Sequence, residues 1–168
     1  MADVKIPLTV GAAGPVAGAT LPERKSAGSA VTVDSYAFDA GTTEALQWCI
    51  PFLPSYASGN LTLTVRWYAD SATSDEVVWG ASVEVITSGA AVNLETGLAW
   101  ATENFAAAST ASSTAHGPVI AVISITNTDS VADGDMLFIR LRRKHDEAGD
   151  DMAGDAQFVG ALLSYLST

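Results

Sequence analysis

Hydrophobic and polar positions alternate along several stretches of this chain. In the clearest stretch, residues 61–68, apolar side chains occupy every second position, namely Leu61, Leu63, Val65 and Trp67. Because successive side chains of a strand point to opposite faces, this period of two indicates a half-buried β-strand. The same alternation recurs at 119–126 and 137–142.

Turn-forming residues separate these stretches, as in Ser58-Gly59-Asn60 and Asp133-Gly134-Asp135. The pattern predicts strands at 31–38, 45–52, 61–69, 76–87, 98–106, 118–127, 136–143 and 156–166. Residues 98–106 also fit one face of a helix, and 106–115 is typical of a loop. With no alternation of strands and helices, we predict an all-β fold, a single jelly-roll-like β-sandwich of about eight antiparallel strands.

The first thirty residues differ from the rest, because prolines and glycines interrupt them. We predict an extended N-terminal arm over 1–30 and the β-sandwich domain over 31–168. Such an arm lies on its own domain, lies on a neighbour or is disordered. Its alternating segment is the candidate for adding a strand to a partner's sheet edge, through Lys5, Ile6, Leu8 and Val10. Removing 1–30 is then expected to leave the sandwich folded and to weaken partner binding.

Several strands carry apolar residues on both faces. Met136 and Phe138 alternate with Leu137 and Ile139, so neither face of that strand is purely polar. One face of a two-layer sandwich is normally buried and the other is wet. A second apolar face therefore indicates that another subunit, or the arm, covers it.

The charge balance narrows the class of partner. The chain carries 8 basic and 19 acidic residues, a formal net charge of -11. Between Ser26 and Ile139 the only base is Arg66. Neutralising nucleic-acid phosphates requires clustered Lys and Arg, and an acidic surface repels anionic lipids. We expect neither a nucleic-acid nor a membrane partner.

Candidate chemistry is sparse. The charged segment 140–155 holds four acids that could ligate a cation, Asp146, Asp150, Asp151 and Asp155, but their spacing does not match an EF-hand. A solvated loop is the favoured interpretation. No nucleophile motif accompanies His116 or His145, so we expect no catalytic residue, no metal, no other cofactor and no enzyme activity. Cys49 cannot form an internal disulfide and is expected to be a small buried side chain.

Aromatic residues leave two interpretations open. The chain has 4 tryptophans, and three of them fall on inward positions of predicted strands, which favours core packing. The alternative is a sugar-binding face built from exposed aromatic side chains, with Tyr56, Tyr68 and Trp100 as candidates.

Two blocks of sequence resemble a group of small β-sandwich proteins encoded among tailed-phage virion genes. The first block comprises residues 39–48, residues 51–56, and Leu63-Thr64-Val65-Arg66-Trp67-Tyr68-Ala69 followed by Val77-Val78-Trp79. The second comprises Gly134-Asp135-Met136-Leu137-Phe138-Ile139-Arg140-Leu141-Arg142-Arg143, Asp150-Asp151-Met152-Ala153-Gly154-Asp155-Ala156 and the closing strand to Tyr165. The resemblance covers 36–166. It departs from the group's pattern at Arg143-Lys144-His145-Asp146 and in the Ala/Ser-rich stretch 98–115.

This resemblance implies a structural protein of the virion. The leading hypothesis is a capsid decoration, or cement, protein that binds the outside of the shell and stabilises it through subunit contacts. The major capsid protein would be its partner, and the chain would form a homotrimer or homodimer. It would be made in the bacterial cytoplasm and would lie on the capsid surface. The alternative is a carbohydrate- or receptor-binding β-sandwich module of a phage tail.

Overall fold

The computed structural model describes residues 2–16, 19–27, 32–72, 74–95 and 98–168. Within these residues the strands are β1 (Asp3–Thr9), β2 (Gly14–Pro15), β3 (Glu23–Ala27), β4 (Val33–Phe38), β5 (Ala45–Ile50), β6 (Tyr56–Ala69), β7 (Glu76–Val77), β8 (Trp79–Ile86), β9 (Asn104–Phe105), β10 (Ser109–Thr110), β11 (Val119–Ile125), β12 (Met136–Arg143) and β13 (Ala156–Ser167). A single 3-10 turn, Val10–Ala12, follows β1. No helix of the described part is long and apolar enough to cross a membrane.

Two antiparallel sheets face each other. The first, called the β6 sheet, has the order β11-β6-β13-β4-β3, and β1 joins it alongside β13. The second, called the β12 sheet, has the order β2-β5-β12-β8-β9. A short ribbon of β7 and β10 stands apart. The predicted all-β sandwich is confirmed.

The core lies between the sheets and is built from the alternating positions of their strands. Leu137, Ile139 and Leu141 of β12 are fully buried, as are Leu63 and Trp67 of β6. Every second residue of these strands is apolar, so each sheet offers one continuous apolar face to the other. The inward position predicted for three tryptophans is confirmed for Trp48, Trp67 and Trp79.

Residues 3–9 are a strand of the sandwich. β1 pairs with β13 over its whole length, from Asp3 opposite Leu166 to Thr9 opposite Gly160. Ile6 packs against the core, and Leu8 and Val10 are buried in it, while Lys5 points outward. Of the residues expected to add a strand to a partner, Lys5, Ile6 and Leu8 therefore pair with the chain's own sheet. Val10 lies in the turn that follows β1.

An irregularity in β13 makes room for β1. The pairing of β13 with β6 shifts between Phe158 and Gly160. Before the shift, the other edge of β13 pairs with β4, and after it with β1. Farther along the chain, β2 pairs with β5 and β3 pairs with β4. The described parts of 1–30 thus belong to the two sheets rather than to a separate arm.

The remaining differences concern the strand-poor stretch after β8. Of the strand predicted at 98–106, only Asn104–Phe105 is regular, and the helical alternative does not form. The predicted loop 106–115 contains β10.

The second apolar face expected for β12 is present. Met136 and Phe138 remain half-buried on the outside of the β12 sheet. The strand β1 does not cover them, because it lies in the plane of the other sheet.

Candidate functional site

The outer face of the β12 sheet carries a row of cations. Alternate residues of β12 point away from the core, so Arg140 and Arg142 lie on the outside. The register places Arg140 beside Gln47 of β5 and Ser82 of β8. Lys144 follows directly after the strand. We call Arg140, Arg142 and Lys144 the cation row.

The segment 98–105 runs beside β8 and brings aromatic rings over this row. The N–H of Ala101 donates to the carbonyl of Val83 at 2.8 Å, and Phe105 pairs with Gly80. The Cζ atom of Arg140 lies 4.9 Å from the ring centroid of Trp100. The Nζ atom of Lys144 lies 5.3 Å from that of Phe105. Both distances are within the range of cation–π attraction.

Glu103 holds the segment against β12. Its carboxylate accepts hydrogen bonds from Nε of Arg142 at 2.8 Å and from Nη2 of the same side chain. Nζ of Lys144 lies 3.9 Å from the same carboxylate. The hydrogen bond to Glu103 raises the pKa of the Arg142 guanidinium above its usual range. A side chain at Gly80 would collide with Glu103, because a Cβ there lies 2.9 Å from its Cδ.

Arg140 differs from its neighbours because no acid forms a hydrogen bond or ion pair with it among the described residues, although Glu103 lies near enough to attract it. Its Nε is buried without an acceptor among these residues. Desolvation by burial, and then repulsion from Arg142, lower the pKa of Arg140. An arginine nevertheless stays protonated in proteins. The guanidinium is therefore a permanent charge, stacked on Trp100 and without a counter-ion of its own.

The opposite end of the same face is apolar. Phe52, which is 78% exposed, Val92 and Leu94 border a groove of about 290 Å³ beside Met136. Cys49, expected to be buried, is exposed midway along the face, opposite Phe138. Partial burial still raises the pKa of its thiol. The outer face thus passes from apolar side chains at one end of β12 to cations at the other.

Of the aromatic residues considered for sugar binding, the structure leaves one accessible. Tyr56 is 7% exposed and Tyr68 is 8% exposed. Trp100 is half-buried, with its ring against Arg140. Sequence reasoning missed the partnership of Trp100 with Arg140. The available signal was the period of two at 140, 142 and 144, which puts three bases on one face.

In the loop between β12 and β13, residues 144–155, the carboxylates bond to neighbouring parts of the fold. Asp150 is hydrogen-bonded to the buried Arg143, and Asp151 accepts the N–H of Glu76 at 2.6 Å. Asp146 pairs with Lys144 at 3.1 Å. No group of three potential metal ligands occurs in the described ranges. His116 lies at a turn with a φ of 59° and packs against Tyr68.

A second surface lies on the outside of the β6 sheet, with its outward residues drawn from four strands. They are Ile120, Val122 and Ser124 of β11, Thr62, Thr64 and Arg66 of β6, Gly160, Leu162 and Ser164 of β13, and Lys5, Pro7 and Thr9 of β1. These twelve residues include two bases and no acid, so we call them the acid-free face; the next outward residue of β1, the exposed Asp3, marks its limit. Grooves of about 630 and 290 Å³ meet at Arg66. Ile120 and Val122 are 48% and 54% exposed.

Comparisons with known proteins give similarities at the level of structure. No family model and no curated protein matches the chain. The chain is similar to the C-terminal CBM6 of LamC, a laminarinase from the marine organism Zobellia galactanivorans, with 9% identity, a TM-score of 0.44 and coverage of 95% of this chain and 98% of that one. It is also similar to TmCBM61, solved in complex with β-1,4-galactotriose, with 11% identity, a TM-score of 0.41 and coverage of 97% and 87%.

Proposed function

We propose that the chain is a non-catalytic carbohydrate-binding β-sandwich that holds its ligand on the outer face of the β12 sheet. The observation that carries the proposal is the half-exposed ring of Trp100, fixed over Arg140 on a sheet face that also presents Gln47. A sugar ring has an apolar C–H face and a rim of hydroxyls. An indole ring can pack against that face, while amide and guanidinium groups can hydrogen-bond the rim.

The platform is rigid before any ligand arrives. The hydrogen bond from Ala101 to Val83 and the ion pair of Glu103 with Arg142 fix the segment that carries Trp100. Ordering a mobile side chain on binding costs about 0.5–1.5 kcal/mol. A ring already held in place avoids this cost, which supports a recognition role for Trp100.

Three carboxylates near the cation row are already engaged. Glu103 pairs with Arg142, and Asp146 pairs with Lys144. Glu84 accepts the backbone N–H of Ala99, while burial raises its pKa. Hydrolysis of a glycosidic bond usually uses two carboxyl groups that flank it. Carboxylates committed to the scaffold fit binding better than hydrolysis, so the proposal is a module without catalytic activity.

The test removes the indole ring of Trp100. A glycan array identifies ligands of the wild-type chain, and calorimetry then compares it with Trp100→Ala. We expect an affinity loss of about tenfold or more, equivalent to ~1.4 kcal/mol, because the packing surface is gone. Phe52→Ala removes an exposed ring outside the cation row and should bind as the wild type does. An array without saturable binding, or equal losses in both variants, would contradict the proposal.

A second candidate function is capsid decoration in a tailed-phage virion, as a homotrimer or homodimer contacting the major capsid protein. The acid-free face favours it, since a chain with a net charge of -11 leaves these twelve neighbouring positions of the β6 sheet without an acid. The purified chain should then co-sediment with undecorated shells and saturate at a fixed ratio. Shells that pellet without it would rule this candidate out.

A further inference from the structure

We infer that the glycan held on the β12 sheet is an acidic one, whose sugar carboxylate pairs with the guanidinium of Arg140. The inference rests on the proposed function and adds the chemical class of the ligand. It starts from the one member of the cation row that forms no ion pair. Glu103 pairs with Arg142 and Lys144, and its attraction to Arg140 includes no hydrogen bond or ion pair among the described residues.

Acids outnumber bases by 19 to 8, so a half-buried guanidinium without an ion pair is unexpected. Arg66, which also lacks an ion pair among the described residues, is exposed to water. Nearby acids have the opportunity to pair with Arg140, yet Glu103 engages its neighbours and Glu84 is buried against Ala99. Charges at the surface of a folded protein commonly find an opposite charge or water. A half-buried guanidinium stacked on an indole ring has limited access to water, so a ligand carboxylate is the partner it lacks.

The geometry of Arg140 suits a carboxylate. Its Nε is enclosed, whereas its two terminal nitrogens are not among the buried atoms without partners. A guanidinium presents such nitrogens as a planar fork that matches the two oxygens of a carboxylate. A sugar ring that packs on the exposed part of Trp100 would bring a carboxyl substituent within reach of that fork.

The local charge also admits an anion here. The cation row contributes three positive charges, and Glu84, Glu103 and Asp146 contribute three negative charges, so the site is balanced at 3 − 3 = 0. The whole chain carries -11. At physiological salt the Debye length is about 8 Å, so the distant acids are largely screened and an approaching anion meets a locally balanced site instead of the charge of the whole chain.

The experiment uses matched ligands on the full chain. Oligosaccharides containing uronic acids or sialic acids are each compared with the same oligosaccharide after chemical reduction of its carboxyl groups. We expect the acidic form of the recognised glycan to bind about tenfold or more tightly than its reduced form. Arg140→Gln should abolish this difference while retaining some binding through Trp100. Arg66→Gln, which removes an exposed arginine from the opposite sheet, should preserve it.

The outcomes separate the two proposals. Equal binding of acidic and reduced glycans, unchanged in Arg140→Gln, would overturn the acidic ligand and leave the glycan-binding function standing. No saturable binding of any glycan would remove the proposed function, and the acidic ligand with it. Polyglutamate serves as an acidic polymer without sugar rings. If it bound as tightly as the acidic glycan, the site would recognise charge alone and the inference would be overturned.

Discussion

Arg143 points into the sandwich from the inward side of β12, and acceptors surround its guanidinium. Its Nη2 lies 2.6 Å from Asp150, and its Nη1 donates to the carbonyls of Gly154 at 2.6 Å and Phe38 at 3.3 Å. The two side chains are 1% and 2% exposed. Because Phe38 belongs to β4, this single residue joins both sheets to the loop after β12. A buried charge is tolerated when its hydrogen bonds are satisfied in this way.

Replacing Arg143 should therefore be costly. We expect Arg143→Met to lower the free energy of unfolding by about 3–5 kcal/mol, since it leaves the Asp150 carboxylate buried without its partner. Urea unfolding followed by tryptophan fluorescence would measure the shift in midpoint.

The control is an ion pair at the surface. Arg24 and Asp34 form one at 3.2 Å, but their side chains are 54% and 51% exposed. Arg24→Met should cost no more than about 1 kcal/mol, because water screens the pair. If the two substitutions shifted the midpoint equally, the Arg143 cluster would not hold the sheets together.

The directions of the β12 side chains can be predicted from the sequence, whereas the contacts of the loop after β12 cannot. The inward direction of Leu137, Ile139 and Leu141 follows from their alternation, and continuing that period places Arg143 inside and Arg142 outside. The charged run 140–155 suggested a solvated loop, because a cluster of charges is usually hydrated. The contacts from Arg143 to Asp150 and Gly154 arise only when the loop folds back under β4, which no local pattern encodes.

Among the strands, β1 differs most from what the sequence predicted, because it pairs with β13 instead of forming part of an extended arm. Proline and glycine through 7–22 suggested a chain without a core of its own. The alternation of Ile6 and Leu8 with Lys5 is nevertheless a strand pattern, and an edge strand tolerates Pro7. Such a pattern indicates that a strand will pair, but not which sheet edge will accept it. The partner edge, β13, lies more than 150 residues farther along the chain.

The burial of β1 gives a direct test. Leu8 is 4% exposed, whereas Lys5 points outward from the same strand. We expect Leu8→Ala to lower the free energy of unfolding by about 2–5 kcal/mol, because it leaves a cavity in the core. Lys5→Ala should stay within about 0.5 kcal/mol of the wild type. Urea unfolding reads out both. Matching midpoints for the two variants would restore the view of residues 3–9 as a detachable arm.

The segment after β8 was unpredictable for a different reason. Its positions are fixed by individual side chains that bond to backbone or to charges, as when Asn104 accepts the N–H of Thr126 at 2.9 Å and Glu103 pairs with Arg142. Contacts of this kind need no periodic spacing, so neither strand nor helix templates detect them. The candidate site could not be predicted for the same reason, since Trp100, Glu103 and Phe105 lie on this segment.

For the whole molecule, the distribution of charge matters more than its total. The net charge of -11 was enough to predict that nucleic acid is not a partner. The acid-free face was not visible in the sequence, because its residues come from four strands that are distant along the chain and meet only in the β6 sheet. The register shows that these twelve outward positions are neighbours and that none of them is an acid.

The acid-free face leads to a prediction about association between copies. Twelve side chains are fewer than the roughly 20–30 per partner of a standard interface, so we expect weak association. Weak contacts suffice where many copies lie side by side on a shell, because each copy is already held near its neighbours. Repulsion between copies of charge -11 should weaken as salt rises, since the Debye length falls from about 30 Å at 0.01 M to about 3 Å at 1 M.

Two valine substitutions test this face while adding the same charge. Val122, 54% exposed, lies on the acid-free face, and Val92, 39% exposed, borders the groove near Phe52. In sedimentation velocity at high protein concentration we expect wild type to associate, and to do so more strongly at high salt. Val122→Asp should remove the association, because it places an uncompensated carboxylate in an apolar contact. Val92→Asp should retain it. Equal loss in both variants would mean that net charge, rather than this face, controls how copies meet.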